Sequence, residues 1–328
     1  MKETGIPLDQ LEKARERLKN RGKITPLLRG ETLDHRVGAQ VYVKPENLQV
    51  TGSFKIRGAT NKMLTLGKEA LEKGVIAASS GNHALGVSYA AKMLNTKAVI
   101  VMPTNAPKIK REKAKALGAE VILHGTTSRE RYDKVEELIR AHGYTLIHSY
   151  ADEDLMAGQG TVGLEILEAL PEVDRVVVPL GGGGLLSGVV SAIKGTNPNI
   201  QVVGVETEAV PRYTVSLENR RPTTVEIQDT FADGLRVVEP GKRNFEIIQA
   251  LVDQVITVGE SDLRQATKAL YMETKLVVEP SAAVGIAAAL GGKLQLKKKE
   301  KVCFLLSGGN VDEETMIEIL KGGSYEGN

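Results

Sequence analysis

Residues 175–195 read RVVVPLGGGGLLSGVVSAIKG, and this stretch contains a strand, a turn and a helix in direct succession. The run at 176–180 is apolar without alternation, which is typical of a parallel strand buried on both faces. Glycines occupy positions 181–184, and the segment after them has helical character. Units of this kind build parallel sheets flanked by helices, so the stretch predicts an α/β fold.

The same alternation continues in both directions from this stretch. Apolar runs are each followed by glycine or a polar cap and then by helix-forming sequence. The length of 328 residues suits two modest domains or one large α/β unit. Residues 220–242 lack a clear hydrophobic period, which predicts a long functional loop. Seven further parallel strands are predicted at VIAASS, KAVIVMP, AEVILHG, TLIHS, QVVGVE, QVITVG and KVCFLLSG.

The four-glycine turn at 181–184 is a candidate anion site. Residues without a Cβ let the backbone approach a phosphate closely, and a following helix N-terminus offers unpaired amides. Glycine runs also form ordinary tight turns, so the turn alone decides nothing. No Walker motif is present, which excludes a nucleotide-binding loop of that type. The dinucleotide-binding pattern is loosely met and Glu206 could bind a ribose, so a nicotinamide-dependent dehydrogenase remains an alternative.

Composition restricts the partners of the chain. Lys and Arg number 43 against 41 Asp and Glu, aromatic residues make up 4%, and Trp is absent, so neither nucleic acid nor an anionic membrane surface is an expected partner. The single cysteine, Cys303, lies in an apolar run, which excludes a disulfide framework and predicts a buried thiol. Without an apolar stretch of membrane-spanning length or an apolar signal segment, we expect a cytoplasmic protein that acts on a small molecule.

Lys55 stands out within TGSFKIRGA, residues 51–59. An isolated lysine is usually a solvated surface group, whereas this one follows Phe54 near the start of a predicted helix. An apolar neighbour and a helix N-terminus both disfavour an ammonium, and a lowered pKa is what Schiff-base chemistry needs.

Four motifs occur in a fixed order: SFKIRGA at 53–59, SSGNHALG at 79–86, GGGGLLSG at 181–188 and LSGGNVD at 306–312. Together they resemble the fold type II, or tryptophan synthase β-like, pyridoxal-phosphate enzymes, and within these the threonine/serine dehydratase and serine racemase branch. The resemblance covers essentially the whole chain. It implies an α/β fold of two domains, each with a mainly parallel twisted sheet flanked by helices, and pyridoxal 5'-phosphate in the cleft between them.

The resemblance also implies domain boundaries and cofactor contacts. Residues 1–64 and 152–328 would form the large domain, and residues 65–151 the small domain that carries SSGNH. Lys55 would hold the cofactor as a Schiff base and remove the α-proton of the substrate. The other implied cofactor contacts are Phe54 on the ring, Asn82 on the ring hydroxyl, Gly181, Gly182, Gly183, Gly184 and Leu185 around the phosphate, and Ser307 at the ring nitrogen.

The SSGNH turn would bind the substrate. Ser80 matches the serine that faces the α-carbon opposite the lysine in racemases, although it could also be a helix cap. His83 has no acidic partner in its motif, which favours a structural hydrogen-bonding role. The implied substrate-binding residues are Ser79, Ser80, Gly81, Asn82 and His83.

A neutral hydroxyl at Ser307 suits elimination or racemisation better than transamination, for which an aspartate would be expected. The first interpretation is therefore a threonine/serine ammonia-lyase that converts L-threonine to 2-oxobutanoate, or L-serine to pyruvate, with release of ammonia. The alternatives are a serine or other amino-acid racemase and a 3-hydroxyaspartate dehydratase. A cysteine-synthase-like activity fits less well, because that loop usually reads SGNTG. By the same resemblance we expect a homodimer or homotetramer.

Racemase-like relatives bind a divalent cation after the strand that here ends near Glu206. The last carboxylate position of that site is Arg212 in this sequence. We therefore expect an ion pair between the two residues in place of a metal.

Overall fold

Two separate sheets organise the chain in this computed structural model, which describes residues 4–322. The six-stranded sheet has the order β1-β2-β10-β7-β8-β9, and all of its ladders are parallel except that between β1 and β2. Its strands are β1 Leu28–Arg29, β2 Gln40–Pro45, β7 Arg175–Pro179, β8 Gln201–Thr207, β9 Gln254–Val258 and β10 Lys301–Leu306.

The four-stranded sheet has the order β5-β4-β3-β6 and is parallel throughout. Its strands are β3 Val75–Ala78, β4 Ala98–Met102, β5 Glu120–Leu123 and β6 Thr145–Leu146. All of them fall between residues 75 and 146, which supports the predicted small domain at 65–151. The domain boundaries themselves stay a prediction, and their outermost residues, 1–3 and 323–328, lie outside the described part of the chain.

Helices cover both sheets, as right-handed crossovers between parallel strands require. Short non-α turns lie at Glu46–Leu48, Asp233–Leu235 and Leu270–Thr274. The α-helices of the described residues are α1 Leu8–Leu18, α2 Glu31–Val37, α3 Lys55–Leu64, α4 Lys68–Lys73, α5 Asn82–Met93, α6 Lys108–Ala116, α7 Ser128–His142, α8 Glu153–Ala169, α9 Gly184–Thr196, α10 Arg212–Glu218, α11 Lys242–Leu251, α12 Glu260–Ala269, α13 Pro280–Leu290 and α14 Glu313–Lys321.

The predicted fold class is confirmed. All eight strands predicted as apolar runs occur, and every one lies in a parallel ladder. The central strand β7 is buried along its whole length, and α13 is buried almost all round, as expected for elements sandwiched between layers. Strands β1 and β2, which form the antiparallel pair, were missed; β1 has only two residues, too short a run to carry a period.

Two smaller predictions concern single segments. Cys303 is fully buried, and burial raises the pKa of its thiol to about 12. Residues 220–242 contain no α-helix or strand up to Gly241, apart from the short turn at Asp233–Leu235, as predicted for a long loop. Within residues 4–322 no helix has the length and apolarity needed to cross a bilayer.

Candidate active site

The four sequence motifs meet at the carboxyl ends of the strands. The amide of Phe54 donates to the carbonyl of Ser307 over 3.1 Å, which joins the lysine motif to the turn after β10. Lys55 Nζ donates to the carbonyl of Ser149 over 2.6 Å. The next residue, Tyr150, lies against the glycine turn, since a Cβ on Gly182 would be 2.4 Å from its ring. The start of α3, the turn after β10, the glycine turn and the loop at 149–150 are therefore neighbours, and the lysine amine is hydrogen-bonded to that loop.

Lys55 is the first residue of α3 and is only partly exposed. Burial lowers the pKa of its amine to about 8, and the charge of Glu279 offsets part of that effect. The amine lies 5.1 Å from the centre of the Phe54 ring. The small-domain helix α5 packs closely behind the lysine, because a Cβ on Gly86 would be 3.0 Å from its carbonyl carbon. The amine is thus held in place and can lose its proton near neutral pH.

The glycine turn presents a row of free amides. Within residues 4–322 the amides of Gly181 to Leu185 donate to no other group. Gly183 has a φ of +95°, which an L side chain adopts rarely, and α9 begins at the next residue without a side-chain cap. Unpaired amides at the start of a thirteen-residue helix form an anion site without any cationic side chain.

The SSGNH turn lies between β3 and α5. The amide of Gly81 donates to Ser79 Oγ over 3.3 Å, whereas the hydroxyl of Ser80 has no partner among the described residues. Helix α5 has no side-chain cap either, so Ser80 is not a helix cap in this structure. The turn therefore offers a free hydroxyl and the positive end of a helix dipole.

His83 is buried, and its Nε2 lies 2.8 Å from the carbonyl of Ile147. Burial, with a smaller contribution from the charge of Lys55, lowers the pKa of its imidazole to about 3. The ring is therefore neutral at physiological pH. This agrees with the structural hydrogen-bonding role that its motif suggested, while its part in substrate binding stays a prediction.

Asn82 lies in a polar network that the sequence did not reveal. Its Nδ2 is 2.9 Å from both carboxylate oxygens of Glu279, and its Oδ1 accepts from Asn310 Nδ2 over 2.8 Å. Burial raises the pKa of Glu279, with Asn82 opposing the shift. A possible signal was the acid within VVEPSAAV, which directly precedes the proline that starts α13.

Ser307 is almost fully buried, and its hydroxyl has no partner within residues 4–322. Its backbone is fixed by Phe54, and the neighbouring Gly308 pairs with Ser53 in an isolated antiparallel bridge. A neutral hydroxyl is thus available beside the lysine motif, as the resemblance implied.

Comparison with known proteins identifies the family. A family profile described as "Pyridoxal-phosphate dependent enzyme" matches residues 18–308, which is most of the chain. The chain belongs to this family. Pyridoxal phosphate is therefore its cofactor.

Relatives of this pyridoxal-phosphate dependent enzyme extend over nearly its whole length. An L-threonine ammonia-lyase of Thermotoga maritima is 44% identical and is matched over 97% of this chain and 79% of its own length. A catabolic L-threonine dehydratase of Staphylococcus aureus is 41% identical and is matched over 97% of this chain and 93% of its own length. Among solved structures, maize serine racemase is 36% identical, with a TM-score of 0.92 over 96% of each chain.

The residues present fit this cofactor. Five unpaired amides at Gly181 to Leu185 suit its phosphate, and the partly buried Lys55 amine suits its aldehyde. The free hydroxyl of Ser307 suits a ring nitrogen that need not be protonated. We propose these residues, together with Phe54 and Asn82, as the cofactor contacts.

The expected ion pair between Glu206 and Arg212 is present, but its charged groups are widely spaced. The two side chains are fully buried, but their closest charged atoms are 3.9 Å apart. Glu206 instead accepts from the amide and hydroxyl of Thr214, over 2.7 and 2.8 Å, and from the amide of Tyr213 over 3.0 Å. The carboxylate therefore caps the start of α10, and the guanidinium makes its hydrogen bonds to backbone carbonyls instead.

A chelator is expected to leave turnover unchanged. A divalent cation bound to Glu206 would displace these hydrogen bonds and would lie against the charge of Arg212, which disfavours the site. The measurement is the rate of the purified enzyme before and after dialysis against EDTA. A large loss that added Mg²⁺ restores would contradict this expectation.

Proposed function

We propose that this enzyme is an L-threonine ammonia-lyase that also accepts L-serine. The observation that carries the proposal is a lysine amine with a pKa near 8 that shares its site with a neutral hydroxyl, Ser307, rather than a carboxylate. The names of the two relatives that are 44% and 41% identical support threonine as the substrate.

Pyridoxal phosphate supplies the electron withdrawal that acidifies the α-carbon of the bound amino acid. The chain supplies orientation and proton transfer. Lys55 Nζ is expected to remove the α-proton, because its lowered pKa leaves much of the amine neutral near pH 8. The uncapped start of α5 is expected to bind the substrate carboxylate through its free amides.

Elimination needs a proton for the departing β-hydroxyl. The hydroxyl of Ser80, which has no other partner in the described chain, is a candidate donor. Loss of the α-proton and the β-hydroxyl removes one water from threonine, and hydrolysis returns it. The products are 2-oxobutanoate and ammonia, whose combined formula equals that of threonine, with the keto oxygen supplied by the water of hydrolysis.

The test is to incubate the purified holoenzyme separately with L-threonine, D-threonine, L-serine and D-serine. We expect 2-oxo acid from the L-amino acids, in equal amount to the ammonia released, with the higher kcat/KM for threonine. If none of the four gives 2-oxo acid, the proposed function is wrong.

Racemisation is the second candidate function. The likeness to maize serine racemase and the free hydroxyl of Ser80 on the SSGNH turn support it. Chiral separation of the same reactions distinguishes the two activities. Inversion of serine that exceeds 2-oxo acid formation would make racemisation the main activity, and a Ser80→Ala variant should then lose inversion more than elimination.

We also propose that the enzyme is a cytoplasmic homodimer or homotetramer. Leu48 and Val277 are 40% and 47% exposed, and their segments are joined by a 3.0 Å hydrogen bond from Asn47 Nδ2 to the carbonyl of Val277. Adjacent exposed apolar side chains favour self-association. Light scattering on the purified protein would contradict this if it gave the mass of a monomer.

A further inference from the structure

Arg212 is the largest of the fully buried side chains, and four backbone carbonyls surround its guanidinium. Nη1 donates to Leu180 over 2.8 Å and to Gly181 over 2.7 Å. Nη2 donates to Val210 over 2.8 Å and to Leu235 over 2.7 Å. One cation therefore joins the glycine turn to the long loop that packs against it.

The contacts with the turn have a directional consequence. In a trans peptide the carbonyl and the amide point in opposite directions, and the described residues contain no cis peptide. The carbonyls of Leu180 and Gly181 belong to the same peptide groups as the amides of Gly181 and Gly182. Tyr213 Oη donates to the carbonyl of Gly182 over 3.1 Å, which fixes the amide of Gly183 in the same way. These three amides consequently point away from the side chains behind the turn.

Charge gives the same arrangement a second effect. The turn contributes no cationic side chain of its own, although the phosphate it is proposed to bind carries close to two negative charges. A guanidinium hydrogen-bonded to a carbonyl polarises the whole peptide group and makes its amide a stronger donor. A buried charge is also screened much less by salt than an exposed one.

We propose that Arg212, assisted by Tyr213, is a positioning residue for the cofactor phosphate. It holds the amides of Gly181 and Gly182 toward the phosphate, and it places a guanidinium, partly balanced by Glu206 at 3.9 Å, behind the turn. This inference rests on the phosphate site proposed above. It assigns to Arg212 a role that does not require contact with the cofactor.

The test compares two ligands of the apoenzyme, prepared from the holoenzyme: pyridoxal phosphate and pyridoxal, which lacks the phosphate. Dissociation constants are measured by absorbance titration of the wild type and of Arg212→Gln. Arg212→Gln should weaken the binding of pyridoxal phosphate by about tenfold or more, because it removes hydrogen bonds from a charged donor. The binding of pyridoxal should be nearly unchanged. Arg212→Lys retains the positive charge but lacks the planar guanidinium with its several donors. Its dissociation constant for pyridoxal phosphate should lie between those of the wild type and Arg212→Gln.

Arg175→Gln is the matched control. Arg175 is also buried in the large sheet and pairs with Glu300 over 2.8 Å, but it lies at the opposite end of β7 from the turn. Its loss should lower stability without changing the preference for the phosphorylated ligand. If Arg212→Gln fails to fold, Arg212→Lys and Tyr213→Phe provide the same comparison.

The outcomes are distinguishable. If the Arg212 variants bound both ligands more weakly by the same factor, or bound both as tightly as the wild type does, the proposed role of Arg212 would be wrong. If the wild type itself bound both ligands equally, the phosphate site at the glycine turn would be wrong, and this inference would fall with it.

Discussion

Replacing Lys55 with alanine is expected to abolish turnover and the visible absorption of the protein-bound cofactor. The Lys55 amine is the group that we propose to bond the cofactor aldehyde, and it is also expected to act as base at the α-carbon. General bases contribute roughly 10²–10⁴-fold, and loss of the covalent attachment adds to this, so the rate should fall by at least about a thousandfold. Steady-state assays and an absorption spectrum of the purified variant measure both effects.

The matched control is Lys68→Ala, which removes a lysine that is 90% exposed and pairs with Glu72, four residues away. It should retain full activity and the wild-type spectrum. Borohydride reduction of the wild-type holoenzyme, followed by peptide mass spectrometry, should place the cofactor on residue 55. Turnover by Lys55→Ala, or label on another lysine, would refute the assignment.

The sequence identified the glycine turn and Lys55 as candidate cofactor contacts because each is a local pattern. The turn is marked by four adjacent residues without a Cβ, and Lys55 is marked by its apolar neighbour Phe54 and a predicted helix start. Neither pattern decided the assignment alone, and the order of the four motifs supplied the resemblance to the family. The strands around them were predicted for the same reason, since buried parallel strands are continuous apolar runs.

The groups that support the site were not predictable, because they act through space. From the sequence, Arg212 was expected only to replace a metal ligand. The fold brings it behind the glycine turn, whose nearest glycine, Gly184, is 28 residues away in sequence. Glu279 binds Asn82 across 197 residues of sequence. A single sequence has no local pattern that records such pairs.

Arg57→Met is expected to lower the free energy of unfolding by about 3–5 kcal/mol, because it breaks a buried ionic network and leaves a carboxylate unpaired. Arg57 Nε and Nη2 each lie 2.8 Å from Glu46, and Nη1 lies 2.6 Å from Glu165. Lys44 Nζ lies 2.5 Å from the other oxygen of Glu165. Two cations thus balance two anions, all of them nearly inaccessible to water.

Urea denaturation measures the loss, which should appear as a lower midpoint with an unchanged slope. The matched control is Arg243→Met, whose pair with Glu153 is 34% and 54% exposed and should be worth less than about 1 kcal/mol. Equal stability of the two variants would contradict the expected effect.

The effect of Arg57→Met should also depend on pH, in a direction fixed by Glu46. Burial by itself would raise the pKa of Glu46, but the charge and hydrogen bonds of Arg57 reverse this and hold the pKa below its usual value. A lowered pKa in the folded state stabilises the fold above the unfolded pKa, and this stabilisation is lost as the pH falls. Without Arg57, burial should dominate and favour the protonated acid. The difference in the free energy of unfolding between wild type and variant should therefore be largest near neutral pH and should shrink as the pH falls. A purely steric defect would instead give a difference that does not change with pH.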